Sequence, residues 1–136
     1  MFGPVSEGMR MFRNRSDVAV VGYSENPYRA VVKVTEYLIQ EGNRVTGVTP
    51  NLTEATETEI PIKRALADLP KQDIIQVWRN SRALPELAAE IKHLPWRPKL
   101  VWCQQGVVDL FFQEELEKVG IQVVMDACPY ALRSYL

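Results

Sequence analysis

The chain has 136 residues, 46% of them hydrophobic, with sixteen Lys and Arg against seventeen Asp and Glu and a formal charge of −1. That length supports one compact domain with a real core and is short for two. The balanced charge leaves no cationic excess to hold a nucleic-acid backbone by counterion release, and no run approaches the roughly 18 apolar residues of a membrane span, so neither nucleic acid nor a membrane is an expected partner.

Met1 to Ser16 carries Arg10, Arg13 and Arg15 and no continuous apolar core of the signal-peptide kind. Residues 1–16 read as an amino-terminal arm or short helix ahead of a single domain over 17–136. Val18-Ala-Val-Val21, between Asp17 and Gly22, predicts a strand buried on both faces. Val31, Val34, Leu38 and Ile39 then recur at helical spacing, and Gly42 supplies a stop.

Arg44 to Val48 predicts a second strand, ended by Thr49-Pro50-Asn51 because a proline does not continue into a helix interior. Asn51 to Ile62 is polar and rich in threonine, with at most a short strand near Ile60, and a brief helix is expected around Lys63 to Leu69. Asp73 to Trp78 is a third clear strand, its β-branched residues suited to a sheet.

Leu84, Leu87, Ala88 and Ile91 form a helical stripe before Pro95 and Pro98. Leu100 to Cys103 is the fourth clear strand, Leu110 to Val119 a helix stopped by Gly120, and Ile121 to Met125 the last strand. This alternation of strand and helix predicts an α/β fold, a Rossmann-like, doubly wound and mainly parallel sheet with helices on both faces.

The two cysteines, Cys103 and Cys128, lie far apart and form no CxxC or Cys/His ligand spacing. A zinc site and a disulfide-built secreted scaffold are therefore not expected, and a reducing cytoplasm is the simplest location. No metal ligand set is assigned. His93, the sole histidine, stands in a charged segment before Pro95 and is expected at the surface.

In open α/β sheets ligands bind beyond the carboxyl ends of the strands, near the point where strand order reverses. That rule selects four loops: Gly22 to Arg29, Thr49 to Asn51, Arg79 to Ser81, and Gln104 to Val107. The first carries one glycine and a polar run before a helix, an arrangement that aims backbone N–H groups at a phosphate.

It is not a dinucleotide fingerprint. Ser24 and Pro27 stand where GxGxxG needs glycines, and Thr49-Pro50 replaces the acidic residue that would grip a ribose hydroxyl. Gly22-Tyr23-Ser24 lacks the carboxylates of a magnesium-binding receiver, and no GxxxxGK[ST] sequence occurs.

Val21-Gly22-Tyr23-Ser24 with Asn26-Pro27-Tyr28-Arg29, then Tyr37-Leu38, Gly42-Asn43-Arg44-Val45, Val48-Thr49-Pro50-Asn51 and Leu66-Ala67-Asp68-Leu69-Pro70 carry a resemblance that runs through the chain. Asp73 to Arg79, Val101-Trp102-Cys103-Gln104-Gln105-Gly106-Val107 and Val124-Met125-Asp126-Ala127-Cys128-Pro129 extend it. Over roughly residues 17 to 130 the chain resembles the small stand-alone CoA-binding domain family, related in fold to the amino-terminal CoA-binding domain of the succinyl-CoA synthetase alpha subunit.

The resemblance implies coenzyme A or an acyl-CoA as ligand, its phosphates near the first loop and its other parts passing over neighbouring strand ends. A neutral Thr49-Pro50-Asn51 fits this, since a carboxylate there would repel the phosphate on CoA's ribose. The chain departs from the family at Ala30-Val31, where members often have Pro-Ser, and at Ala127, Tyr130 and Leu132 around Cys128-Pro129.

Candidate ligand-binding residues are therefore Gly22, Tyr23, Ser24, Asn26, Arg29, Thr49, Pro50, Asn51, Trp78, Arg79, Gln104 and Gly106. Gly22 would allow close approach of backbone to ligand; Ser24 and Asn26 would touch phosphate or cap the next helix. Arg29 and Arg79 offer a guanidinium fork to phosphate oxygens or a surface salt bridge, and Lys33 belongs to a solvated face. Gln104 and Gly106 would line the path of a pantetheine arm or form an ordinary turn. Trp78 and Trp102 fit packing better than adenine stacking.

Cys128 is a small buried side chain or a thiol able to form a mixed disulfide with CoA. No nucleophile, base and orienting group recur together, so the expected role is non-catalytic binding, as a sensor or regulator. An enzyme acting on a CoA thioester through Cys128 or Asp126, and an interaction module that has lost its nucleotide, are the alternatives.

Overall fold

The computed structural model describes residues 3–24, 26, 28–50 and 60–135. Helix α1 spans Pro4–Phe12, strand β1 Asp17–Val21, α2 Ala30–Gln40 and β2 Arg44–Val48. A two-residue β3, Ile62–Lys63, precedes a 3-10 turn at Leu66–Asp68, β4 at Ile74–Val77 and a second 3-10 turn at Ser81–Ala83. The chain closes with α3 (Leu84–Lys92), β5 (Leu100–Cys103), α4 (Leu110–Glu117), β6 (Gln122–Val124) and α5 (Pro129–Leu132).

The six strands form one all-parallel sheet in the order β3-β2-β1-β4-β5-β6. From β1 the chain builds outward through β2 to β3, then crosses back to lay β4 on the other side of β1. Strand order thus reverses between β1 and β4, where Val21 stands opposite Val77.

Side chains alternate across the strands and divide the core into two layers. Val18 and Val20 of β1, Ile74 of β4, and Leu100 and Trp102 of β5 pack with α1 and α2 through Met9, Phe12, Val31, Tyr37 and Leu38. Ala19, Val21, Ile75, Val77, Val101 and Cys103 face the other way, against Leu84, Leu87, Ala88 and Ile91 of α3 and Phe112 and Leu116 of α4. Val31, Val34 and Leu38 of the expected α2 stripe are buried, whereas Ile39 is 39% exposed and Thr35 and Tyr37 are buried in addition.

Residues 4–12 are part of the core. Phe12 meets the ring of Trp102 edge-on, with centroids 5.3 Å apart, and the Trp102 Nε1–H donates to the Ala127 carbonyl at 2.8 Å. Buried Asn43 ties three segments together: its Nδ2 donates to the carbonyls of Phe12 (2.6 Å) and Leu38 (2.8 Å), and its Oδ1 accepts from the Ser16 N–H (3.0 Å). Every polar atom of that amide is used, which makes burying it tolerable.

Between Lys63 and Leu69 only the single 3-10 turn forms, so the expected brief helix shrinks to three residues, and the short strand expected near Ile60 lies at Ile62–Lys63. Among the described residues no helix is long and apolar enough to cross a membrane.

Candidate functional site

The carboxyl ends of β1, β2 and β4 enclose a cleft of about 620 Å³ on the α2 side of the sheet. Gly22, Tyr23, Ser24, Asn26 and Arg29 contribute one wall, the first turn of α2 contributes Ala30 and Val31, and Thr49 and Trp78 complete the lining. The loop after β1 is fixed by its own polar groups: the Asn26 N–H donates to Ser24 Oγ at 3.1 Å, and the Tyr28 N–H donates to Asn26 Oδ1 at 3.0 Å.

Ser24 and Asn26 do not cap α2. Its N-cap position is Arg29, in extended conformation, and among the described residues no side-chain cap hydrogen bond is made to the helix start. No acidic residue occupies the first turn either. The uncapped end of an eleven-residue helix therefore opens on the cleft beside an exposed guanidinium, where its N–H groups and partial positive charge favour an anion.

Backbone donors earlier in the loop are already committed, since the Gly22 and Tyr23 N–H groups both donate to the Val48 carbonyl, at 2.9 and 3.3 Å. Gly22 adopts φ +86, and a Cβ there would lie 2.4 Å from the Trp78 carbonyl oxygen. Its missing side chain lets β1 and β4 close on each other at the switch point. Gly47 serves the cleft differently: a Cβ on it would meet the Tyr23 ring at 2.8 Å, so the absent side chain seats Tyr23 on the sheet.

Trp78 packs against the α2-side core, and its buried Nε1 has no hydrogen-bond partner among the described residues. The uncapped helix start leaves backbone N–H groups that an oxygen-rich anion in the cleft would satisfy.

The remaining candidates lie elsewhere. Pro50 and half-buried Arg79 line a separate cavity of about 250 Å³ on the α3 side of β1, so Arg79 and Arg29 do not share one pocket. Gln104 is 6% exposed and pairs through its Oε1 with the Gln76 Nε2–H at 3.3 Å; it lines neither cavity.

Gly106 is exposed, donating its N–H to Asp126 Oδ1 at 2.7 Å and accepting from Ser81 Oγ at 3.4 Å. Asn51, Glu25 and Pro27 lie outside the described residues. Sequence reasoning missed Ala30, Val31 and Gly47 as site residues. The first two stood in plain view as the start of the helix that follows the loop.

Of the titratable groups nominated earlier, Cys128 is half-buried before α5 and lines neither cavity, and the Asp126 carboxylate is held by Gly106. Burial pushes the Cys103 thiol up to about 12, so at neutral pH it is a packing residue and not a nucleophile. His93 is exposed at the end of α3, its Nδ1 2.7 Å from the Ala89 carbonyl. Among the described residues no group of three or more His, Cys, Asp or Glu could hold a metal ion.

Residues 16–133 match the family described as the CoA binding domain. The chain belongs to the CoA-binding domain family. It is 32% identical over 111 residues to "Uncharacterized protein YneT" of Bacillus subtilis (strain 168), covering 82% of this chain and 80% of that protein. Among solved structures it is similar to a Thermus thermophilus protein, cell-free ID.343, with TM-score 0.81 and 30% identity across 94% of this chain and 96% of the other. A conserved hypothetical protein from Pyrococcus furiosus aligns with TM-score 0.70 and 27% identity over 82% of this chain and 94% of its own.

Proposed function

We propose that this CoA-binding domain holds CoA or an acyl-CoA without transforming it, the pyrophosphate seated at the start of α2 and on Arg29. The observation that carries this reading is the uncapped α2 N-terminus opening on the 620 Å³ cleft at the strand-order reversal of a family member. Backbone N–H groups of Ala30 and Val31 and the Arg29 guanidinium are its donors.

The departure at Ala30-Val31 changes the donor set without emptying it. Alanine at the first helical position restores a backbone N–H that a proline lacks, while valine forgoes the hydroxyl of serine. Thr49 leaves the rim neutral, so the ligand's negative charge meets no carboxylate there. Support for a non-catalytic role comes from the lining itself. Its titratable side chains among the described residues are Tyr23 and Arg29, and an arginine cannot accept a proton as a general base.

Calorimetric titration with CoA, acetyl-CoA and NAD tests the reading. CoA and acetyl-CoA should bind, NAD should not, and Arg29→Ala should weaken CoA by about tenfold. Silence for every nucleotide overturns it. Hydrolysis of acetyl-CoA by the purified protein would overturn the non-catalytic part alone.

A further inference from the structure

The α3-side cavity carries a residue that the cleft on the α2 side does not use. Arg79 follows β4 directly, is half-buried, and has no hydrogen bond or ion pair among the described residues. Its guanidinium is therefore free to take a ligand, and its rigid fork of donors matches phosphate oxygens. The methylene arm of Arg79 lies over Gly22, 3.3 Å from where a Cβ would be, which holds the head group on the α3 side of β1.

Pro50, at the end of β2, lines the same cavity, and Val48, Leu66 and Leu87 give it an apolar floor. An apolar floor beside a guanidinium suits a flat base that carries a phosphate close by. Arg64 brings a second guanidinium to this rim, while Glu86 and Glu90 of α3 bring two carboxylates. That mixture of charge suits a ligand end bearing both an anion and an amino group that donates to a carboxylate.

We infer that Arg79 binds the 3′-phosphate of CoA's ribose and is the residue that distinguishes CoA from 3′-dephospho-CoA. The inference rests on the CoA reading above and adds to it a separate phosphate site, across β1 from the one at α2.

Isothermal titration of the full chain and its variants with CoA and with 3′-dephospho-CoA tests this. The unmodified protein should prefer CoA by about tenfold or more. In Arg79→Gln, which keeps most of the aliphatic arm over Gly22, and in Arg79→Ala the preference should fall to about onefold, with affinity for 3′-dephospho-CoA unchanged. Arg29→Ala should weaken both ligands by the same factor. Near-UV circular dichroism of each variant establishes that it is folded. A preference that survives in both Arg79 variants, or CoA binding without any preference in the unmodified chain, overturns the inference while leaving the CoA reading standing; no binding of either ligand overturns both.

Discussion

The carbonyl oxygen of Trp78 sits where a Cβ on Gly22 would be, 2.4 Å from that position. This one contact joins the ends of β1 and β4 at the reversal of strand order and sets the width of the crevice between them.

Gly22→Ala must therefore do two unfavourable things, place a Cβ at φ +86 and push the Trp78 peptide away. A loss of about 1–3 kcal/mol is expected, lowering Tm by about 5 °C or more. Because Trp78 forms a cleft wall, CoA affinity should fall as well. Thermal unfolding that matches the unmodified protein would show that the two strand ends can part without cost.

Arg29 is exposed at the cleft mouth, so its attraction to a polyanion is open to screening. Raising ionic strength about tenfold should weaken CoA binding by about threefold or more, and the slope should flatten in Arg29→Ala. Equal salt dependence in the two proteins would place the electrostatic contact elsewhere.

Asn43 should be among the costliest single truncations. Asn43→Ala leaves the Phe12 carbonyl and the Ser16 N–H without their partner, while the Leu38 carbonyl keeps the backbone N–H of residue 43, and about 2–4 kcal/mol is expected from such unpaired buried groups. Urea unfolding should show a lower midpoint with an unchanged slope.

The two thiols should differ in reactivity. Cys103 is fully buried with its thiol pushed up to about 12, whereas Cys128 is half-buried. A thiol reagent at neutral pH should modify Cys128 in the native protein and reach Cys103 only after denaturation, as peptide mass mapping can follow. Native labelling of Cys103 at a comparable rate would contradict its burial.

Glu115 accepts from Lys92 Nζ at 2.6 Å and from Lys118 Nζ at 2.9 Å, and these bonds hold its carboxyl below the usual carboxylate range. A carboxyl depressed in the folded state contributes stability above its unfolded value of about 4.3 and loses it as pH falls through the folded value. The stability difference between the unmodified chain and Glu115→Gln should accordingly be present at neutral pH and vanish in acid. A difference that stays constant with pH would remove the ionised carboxylate as its cause.

The sheet was legible because its strands are short apolar runs set between polar turns. Val18 to Val21 and Leu100 to Cys103 are buried on both faces, and their bounds agree with the sequence reading to within a residue. The 3-10 turn at Leu66–Asp68 was over-read as a helix because Leu66 and Leu69 share a helical spacing while serving only to plug the core beside α3. Ile39 was misassigned because Thr35 and Tyr37 bury despite their hydroxyls.

For the site, Gly22, Tyr23, Ser24, Asn26, Arg29, Thr49 and Trp78 do converge. What the one-dimensional reading could not see was handedness about a strand. Trp78 and Arg79 adjoin in the chain yet serve opposite faces of the sheet, a separation that follows only from the pleat. Gly47 stayed hidden for a related reason, since its purpose is visible only once Tyr23 lies across it.

That adjacency has a bearing on how a ligand would be held. A molecule touching both the Trp78 cleft and the Arg79 cavity straddles a single strand end, so its two halves are tethered binders that each raise the other's effective concentration. On that reading the strand end would act as a length gauge, favouring a molecule long enough to reach around it over fragments that fill one side.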